Sequence, residues 1–231
     1  MSKTKSNLGL RFFILEIFSI FLGVTIAFLA NHWNDLRKDR ISEQKILVEI
    51  KKELEADLSD IKTNIGGHER GLAAVALFQK YCTGQEVSFD SLSANYSRLY
   101  RDYISITNTT AYESLKSKGL DIISNEKLRN DIVLLYDFEY EVLEKLEEQY
   151  QPAQFHQNYF TTLTEHFKDY ITFDQNGQLF FNKKYQKEID TEIMMILKEI
   201  KDWRGFLTRA YMQTVDRVVS VSQAIDKEIE E

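Results

Sequence analysis

Residues Phe12 to Ala30 form an apolar run of nineteen positions interrupted by one charge, Glu16. At about 1.5 Å rise per residue, a helix over this run is about 28 Å long, close to the roughly 30 Å hydrocarbon core of a bilayer. The run predicts a transmembrane helix over 12–33, preceded by a basic tail over 1–11 and followed by one helical-bundle domain over 34–231. Asn31 and Trp33 fall where the amides and aromatic rings of a membrane interface belong. A cleaved signal peptide shares the basic start, Lys3, Lys5 and Arg11, but the run exceeds an ordinary signal core. Phe28 is also too bulky for the −3 position of a cleavage site at Ala30.

Within the run, Glu16, Ser19, Gly23, Ala27, Ala30 and Asn34 recur at steps of three or four and share one helical face. Phe18, Phe21, Leu22, Phe28 and Leu29 occupy the other side. Small residues at four-residue spacing let two backbones approach closely where lipid supplies no hydrophobic drive, so this face is read as a pairing surface. Its partner is a second copy of the chain or another membrane protein. Basic residues flank the run on both sides, with Arg37, Lys38, Arg40 and Lys45 following it. The tail carries no acid, and on that ground the expected topology of this single-pass cell-membrane protein keeps the tail cytoplasmic and the domain outside.

Beyond the anchor, 26 basic residues stand against 35 acidic ones. A domain of that charge repels a phosphate backbone, so nucleic acid is not an expected partner, whereas membrane lipid is. Cys82 is the single cysteine, which removes an internal disulfide and a thiolate zinc cage. One proline in 231 residues leaves little punctuation for an all-β fold.

No proline occurs between residues 12 and 151 and no glycine between Gly23 and Gly66, so the membrane helix is expected to run on into a stalk. Leu47, Ile50, Leu54, Leu58, Ile61 and Ile65 mark its buried stripe. Gly66, Gly67 and Gly71 predict a kink or break before a second stretch, Leu72 to Tyr81. A short helix is expected over Phe89 to Tyr103, and another after Asn108, Thr109 and Thr110, closed by Gly119. Ser124 is the expected cap of a helix running towards Tyr150, with Leu128, Ile132, Leu135, Val142 and Leu146 inward and Glu139 to Glu148 solvated. Pro152 opens a helix bearing Phe155, Tyr159, Phe160, Leu163 and Phe167. A hairpin follows, Ile171 to Asp174 and Gln178 to Phe181 around Gln175, Asn176 and Gly177. The last helix, from Ile189 to about Lys227, carries Ile193, Ile196, Ile200, Trp203, Leu207, Ala210, Thr214, Val218, Val221 and Ile225. The fold class is all-α, a transmembrane helix continuing into an elongated antiparallel bundle with one small hairpin.

Two stretches carry a family resemblance. Glu16 to Leu54, centred on Ala27-Phe28-Leu29-Ala30-Asn31-His32-Trp33-Asn34, resembles the start of an uncharacterised family of small bacterial single-span membrane proteins, a domain of unknown function. Ala111-Tyr112-Glu113-Ser114-Leu115-Lys116-Ser117-Lys118-Gly119, followed by Ile122-Ile123-Ser124-Asn125-Glu126-Lys127-Leu128-Arg129, is similar to its central signature. Leu29, Ala30 and His32 depart from the Gln-Ile-Asn-Asn-Trp-Asn often found at the family's membrane exit. The resemblance implies an anchor and a helical body, and no activity.

Catalytic patterns are thin. Serine followed three residues later by lysine occurs at Ser2, Ser59 and Ser124 without companion motifs, and His32, His68, His156 and His166 lack the spacing of a helical metal site. Asp174, Asn176 and Gly177 faintly resemble a calcium loop, but Tyr185 stands where the closing carboxylate belongs. Tyr112, Tyr136, Tyr140 and Tyr159 are dense enough to line a small-ligand pocket. No catalytic residue, cofactor or metal is expected. The expected function is a membrane-anchored interaction or scaffold module, with a ligand sensor signalling through a membrane partner as the alternative.

Overall fold

In a computed structural model the chain is described over residues 4–186 and 190–230, with backbone alone for residues 4–12 and 14. Helix α1 runs without interruption from Thr4–Cys82, about 118 Å of helix. Its first part stands clear of the rest of the chain. From about Arg40 onward it is the central rod of the folded body, with Leu47, Ile50, Leu54 and Ile61 buried and Leu58 and Ile65 packed against the core.

The helix does not break at Gly66, Gly67 or Gly71. Gly67 and Gly71 instead admit neighbours: a Cβ at Gly67 would lie 2.3 Å from the Tyr103 ring, and one at Gly71 would lie 2.5 Å from the Arg204 side chain. Close approach, and not backbone freedom, explains them.

Helix α7 (Thr191–Glu230) runs back along α1 for about 60 Å. Its antiparallel sense is fixed by contacts at both ends, Arg204 with His68 and Arg40 with Glu228. The expected starting residue, Ile189, lies outside the described residues. The buried stripe includes Ile193, Ile200, Leu207, Val218, Val221 and Ile225 as expected, while Ile196, Trp203 and Ala210 sit at its margin. Leu197, Arg204 and Tyr211 take the central places.

A third layer is made by α4 (Glu126–Leu134), a π turn (Leu135–Tyr140) and α5 (Glu141–Glu148), forming one helical rod. A π turn holds an extra residue, so every side chain beyond it is rotated relative to an unbroken α-helix. Leu128, Ile132 and Leu135 are buried as the periodicity predicts, but Val142 and Leu146 give way to Leu143 and Glu147. Glu147, expected among the solvated glutamates, is only 6% exposed.

Helix α2 (Phe89–Asn95) passes into a 3-10 turn (Tyr96–Leu99), ending short of Tyr103. Residues 101–109 form an extended strap to α3 (Thr110–Lys118), which Gly119 closes at φ +105°. Thr109 makes no side-chain cap, and Glu53 of α1 accepts from the Ala111 N–H instead. Asn125, and not Ser124, caps α4, its Oδ1 accepting from Leu128 N at 3.1 Å.

Pro152 begins a 3-10 turn (Gln151–Ala153) ahead of α6 (Phe155–Phe167). Strands β1 (Ile171–Phe173) and β2 (Leu179–Phe181) pair antiparallel, Ile171 opposite Phe181, around Gly177 at φ +77°. Asp174 accepts from the N–H groups of Asn176 and Gln178, which makes the loop a turn held by its own carboxylate. The hairpin, α2 and α6 close the end of the bundle far from the apolar run around Phe78, Tyr81, Tyr96, Phe167 and Phe181, whose rings meet mostly edge to face.

Candidate functional site

The exposed part of α1 is the most unusual surface of the molecule. An 18-residue window of it reaches a mean hydropathy of 1.6 with none of the window buried. Large apolar side chains are exposed around the whole helix, from Phe13 through Phe18, Phe21 and Phe28 to Trp33 and Leu36. Glu16, Ser19, Gly23, Ala27, Ala30 and Asn34 lie on one face of this helix, all exposed, and nothing in the described chain lies within 4 Å of a Cβ placed on Gly23. Ser19 Oγ donates to the Glu16 carbonyl at 2.9 Å and Thr25 Oγ1 to the Phe21 carbonyl at 2.8 Å, so both hydroxyls are satisfied within the helix. Asn31 and Trp33 are exposed just beyond, where the Phe28 and His32 rings stack.

The apolar helix joins the body at a charged collar. Arg40 donates to Glu43 Oε2 at 2.9 Å, to Glu228 Oε1 at 3.1 Å and to the Glu228 carbonyl at 3.0 Å. Asn125 Nδ2 donates to the other Glu228 oxygen at 2.7 Å, and Ser124 donates through N and Oγ to Glu43 at 2.8 and 3.0 Å. Lys51 pairs with Asp226 a little further along. These contacts tie α1, the end of α7 and the start of α4 together where the body begins. Ser124 and Asn125, part of the stretch that resembles the family signature, serve here as clamp and cap.

Further along α1 a series of carboxylates captures the backbone of the strap. Asp60 accepts from Ile106 N at 2.9 Å, Asp57 from Asn108 N at 2.8 Å, and Glu53 from Ala111 N at 3.0 Å. Glu147 accepts from Ser105 N and Oγ and from the Tyr211 hydroxyl. Asp57 also accepts from Tyr140 at 3.0 Å. Burial pushes Asp57, Glu53 and Glu147 above the usual carboxylate range, and the hydrogen bonds they accept oppose that rise.

Arg204 holds the other side of the strap. Fully buried, it donates to the carbonyls of Arg98, Leu99 and Arg101 at 2.9–3.2 Å, stacks 4.0 Å from the Phe155 ring centre, and meets His68 Nδ1 at 3.2 Å. Burial lowers Arg204 to about 10 and His68 to about 3, the cation beside it adding to the His68 shift. His68 is therefore neutral at physiological pH. It sits among Tyr103, Phe155 and Tyr211.

These interior carboxylates and the Arg204 terminal nitrogens satisfy backbone and one another, which is a structural use, while His68 Nε2 and Arg204 Nε are buried without a hydrogen-bond partner among the described residues. Tyr112, Tyr136 and Tyr140 do come together, the first two stacked at 4.4 Å, but they are buried against each other; Tyr159 lies apart, beside Phe155. His32, His68, His156 and His166 are not brought to one place, and among the described residues no three His, Cys, Asp or Glu side chains converge to hold a metal ion. Arg204 and Glu147 were missed by sequence reasoning, although Arg204 interrupts the apolar stripe between Ile200 and Leu207 and was legible as a polar residue at a core position. Glu147 had no such signal, because its burial depends on the π turn. The chain matches no family model, no curated protein and no solved structure.

Proposed function

We propose that this chain is a single-span membrane protein whose helical bundle is a tethered interaction module, and that it pairs with a second copy or a membrane partner through the face bearing Gly23. The observation that carries the reading is the apolar length of α1, bare on every side while the same helix is the core of the body further on. Apolar surface of that extent marks a lipid or partner contact. The resemblance to single-span proteins of unknown function points the same way. In this reading the tail stays on the cytoplasmic side and the bundle stands outside, with Asn31 and Trp33 in the headgroup layer.

Two measurements test it. Carbonate-washed membranes should retain the full chain, and recovery in the soluble fraction overturns the anchor. Gly23→Cys and Ala27→Cys should then trap one discrete crosslinked species, whereas a smear of collisional products equal to that of Phe21→Cys removes the pairing face. Cys82 does not interfere, since it is buried and its thiol is pushed up to about 12.

A second reading, a sensor that passes movement of the bundle into the bilayer, draws support from the unbroken course of α1 through Gly66, Gly67 and Gly71. Such a helix transmits rotation or tilt without a hinge to absorb it.

A further inference from the structure

We infer that the cleft on the underside of the bundle, between α1 at Leu36 to Arg40 and the turn after α3, receives the headgroup of a membrane phospholipid bearing both a phosphate and a primary ammonium. The inference rests on the reading of α1 as a membrane span. The cleft holds about 530 Å³ and is lined by Leu36, Asp39 and Arg40 on one wall and Lys118, Asp121 and Ile122 on the other. That volume lies within the range of small-ligand sites.

Its position is set by the helix. Exposed apolar side chains continue to Trp33 and Leu36, the latter 54% exposed, which places the hydrocarbon boundary between Ala30 and Leu36. Leu36 then lies about 9 Å or less beyond the hydrocarbon, against a headgroup layer roughly 5–8 Å deep. Side chains on a helix lean towards its N-terminus, and α1 leaves the membrane in the N-to-C direction, so Asp39 leans back to the lipid. The collar makes the cleft rigid, because Ser124 is bonded to Glu43 and Arg40 to Glu228 on either side of it.

The charges left over define the ligand. Arg40 and Glu43 are occupied with the collar, and Asp121 with Arg129 at 3.2 Å. Asp39 and Lys118 line the cleft and, among the described residues, have no ion-pair partner. A free carboxylate and a free ammonium facing one cleft complement an ammonium and a phosphate on one headgroup. A primary ammonium donates hydrogen bonds to Asp39 that a quaternary one cannot, and the Asp39 carboxylate opposes a headgroup of net negative charge.

The test uses the full chain reconstituted into phosphatidylcholine vesicles doped with phosphatidylethanolamine or phosphatidylglycerol, floated, gently extracted and weighed intact by native mass spectrometry. Phosphatidylethanolamine should be retained about tenfold over phosphatidylcholine, the scale of one charge-assisted hydrogen bond. Asp39→Asn should abolish that preference and Lys118→Gln should lower the retention of both lipids, each variant floating and melting as the parent does. Equal retention of the three lipids, a preference unmoved by Asp39→Asn, retention unmoved by Lys118→Gln, or a preference for phosphatidylglycerol lost only with Lys118→Gln would overturn the inference and leave the anchor intact. A chain that does not float overturns the membrane reading itself.

Discussion

Gly23 and Gly71 lie on one helix, and their surroundings differ completely. A Cβ at Gly71 would collide with Arg204, whereas one at Gly23 meets nothing within 4 Å. In the body of α1, Gly67 and Gly71 and the carboxylates of Glu43, Glu53 and Asp57 are answered by other parts of the chain. Along the apolar length, the small-residue face is answered by nothing among the described residues. The contrast separates residues that serve the fold from residues the fold leaves bare.

The contrast is best broken from its strongest side. Arg204→Leu leaves the carbonyls of Arg98, Leu99 and Arg101, where the 3-10 turn enters the strap, and His68 without their donor, and should cost about 3–5 kcal/mol in denaturant melts of the micelle-held protein. Membrane retention should be unchanged. If the loss is under about 1 kcal/mol, the strap is held by its carboxylates alone.

His68 gives a pH signature of similar size. Its folded value is depressed from 6.5 to about 3, so between those values the unfolded chain binds a proton that the folded chain refuses. Stability from this group is full above pH 6.5 and drains as the pH falls to 3, on the order of 5 kcal/mol. Of the groups facing it, Arg204, at about 10, and Tyr211, raised by burial, do not titrate in that window. Asp57, Glu53 and Glu147 act oppositely, since raised carboxylates favour the folded state as they protonate. His68→Leu should flatten or reverse the acid limb of the stability profile; an unchanged limb would place the acid sensitivity elsewhere.

Gly71→Ala drives a methyl group into the Arg204 side chain and should cost about 1–3 kcal/mol. Gly23→Leu is the matched control and the smallest expected effect, within about 0.5 kcal/mol on the melt of the body. It should nevertheless abolish the crosslink trapped at Ala27→Cys. A change in the melt without a change in crosslinking would reverse the assignment of the two glycines.

Much of the architecture was legible without coordinates. The apolar run, the stripes of α1 and α7, the Asp174 to Gly177 turn and the Gly119 cap all follow from local periodicity or from a backbone geometry that few residues adopt. The misplacements share a cause. Ser124 was a reasonable cap by type, yet Glu43, 81 positions away, takes its donors, and Asn125 caps instead. Gly67 and Gly71 looked like part of a break because their neighbours come from the strap and α7. Glu147 looked solvated because the π turn that rotates it inward is a property of packing.

The order of residues determined by itself that this chain has a bilayer-length apolar helix and long amphipathic helices behind it, since hydrophobic period and length are local quantities. Only the tertiary structure decided which polar groups go inside. A buried carboxylate or guanidinium survives only where distant backbone donors or acceptors reach it, and no local pattern records who those partners are.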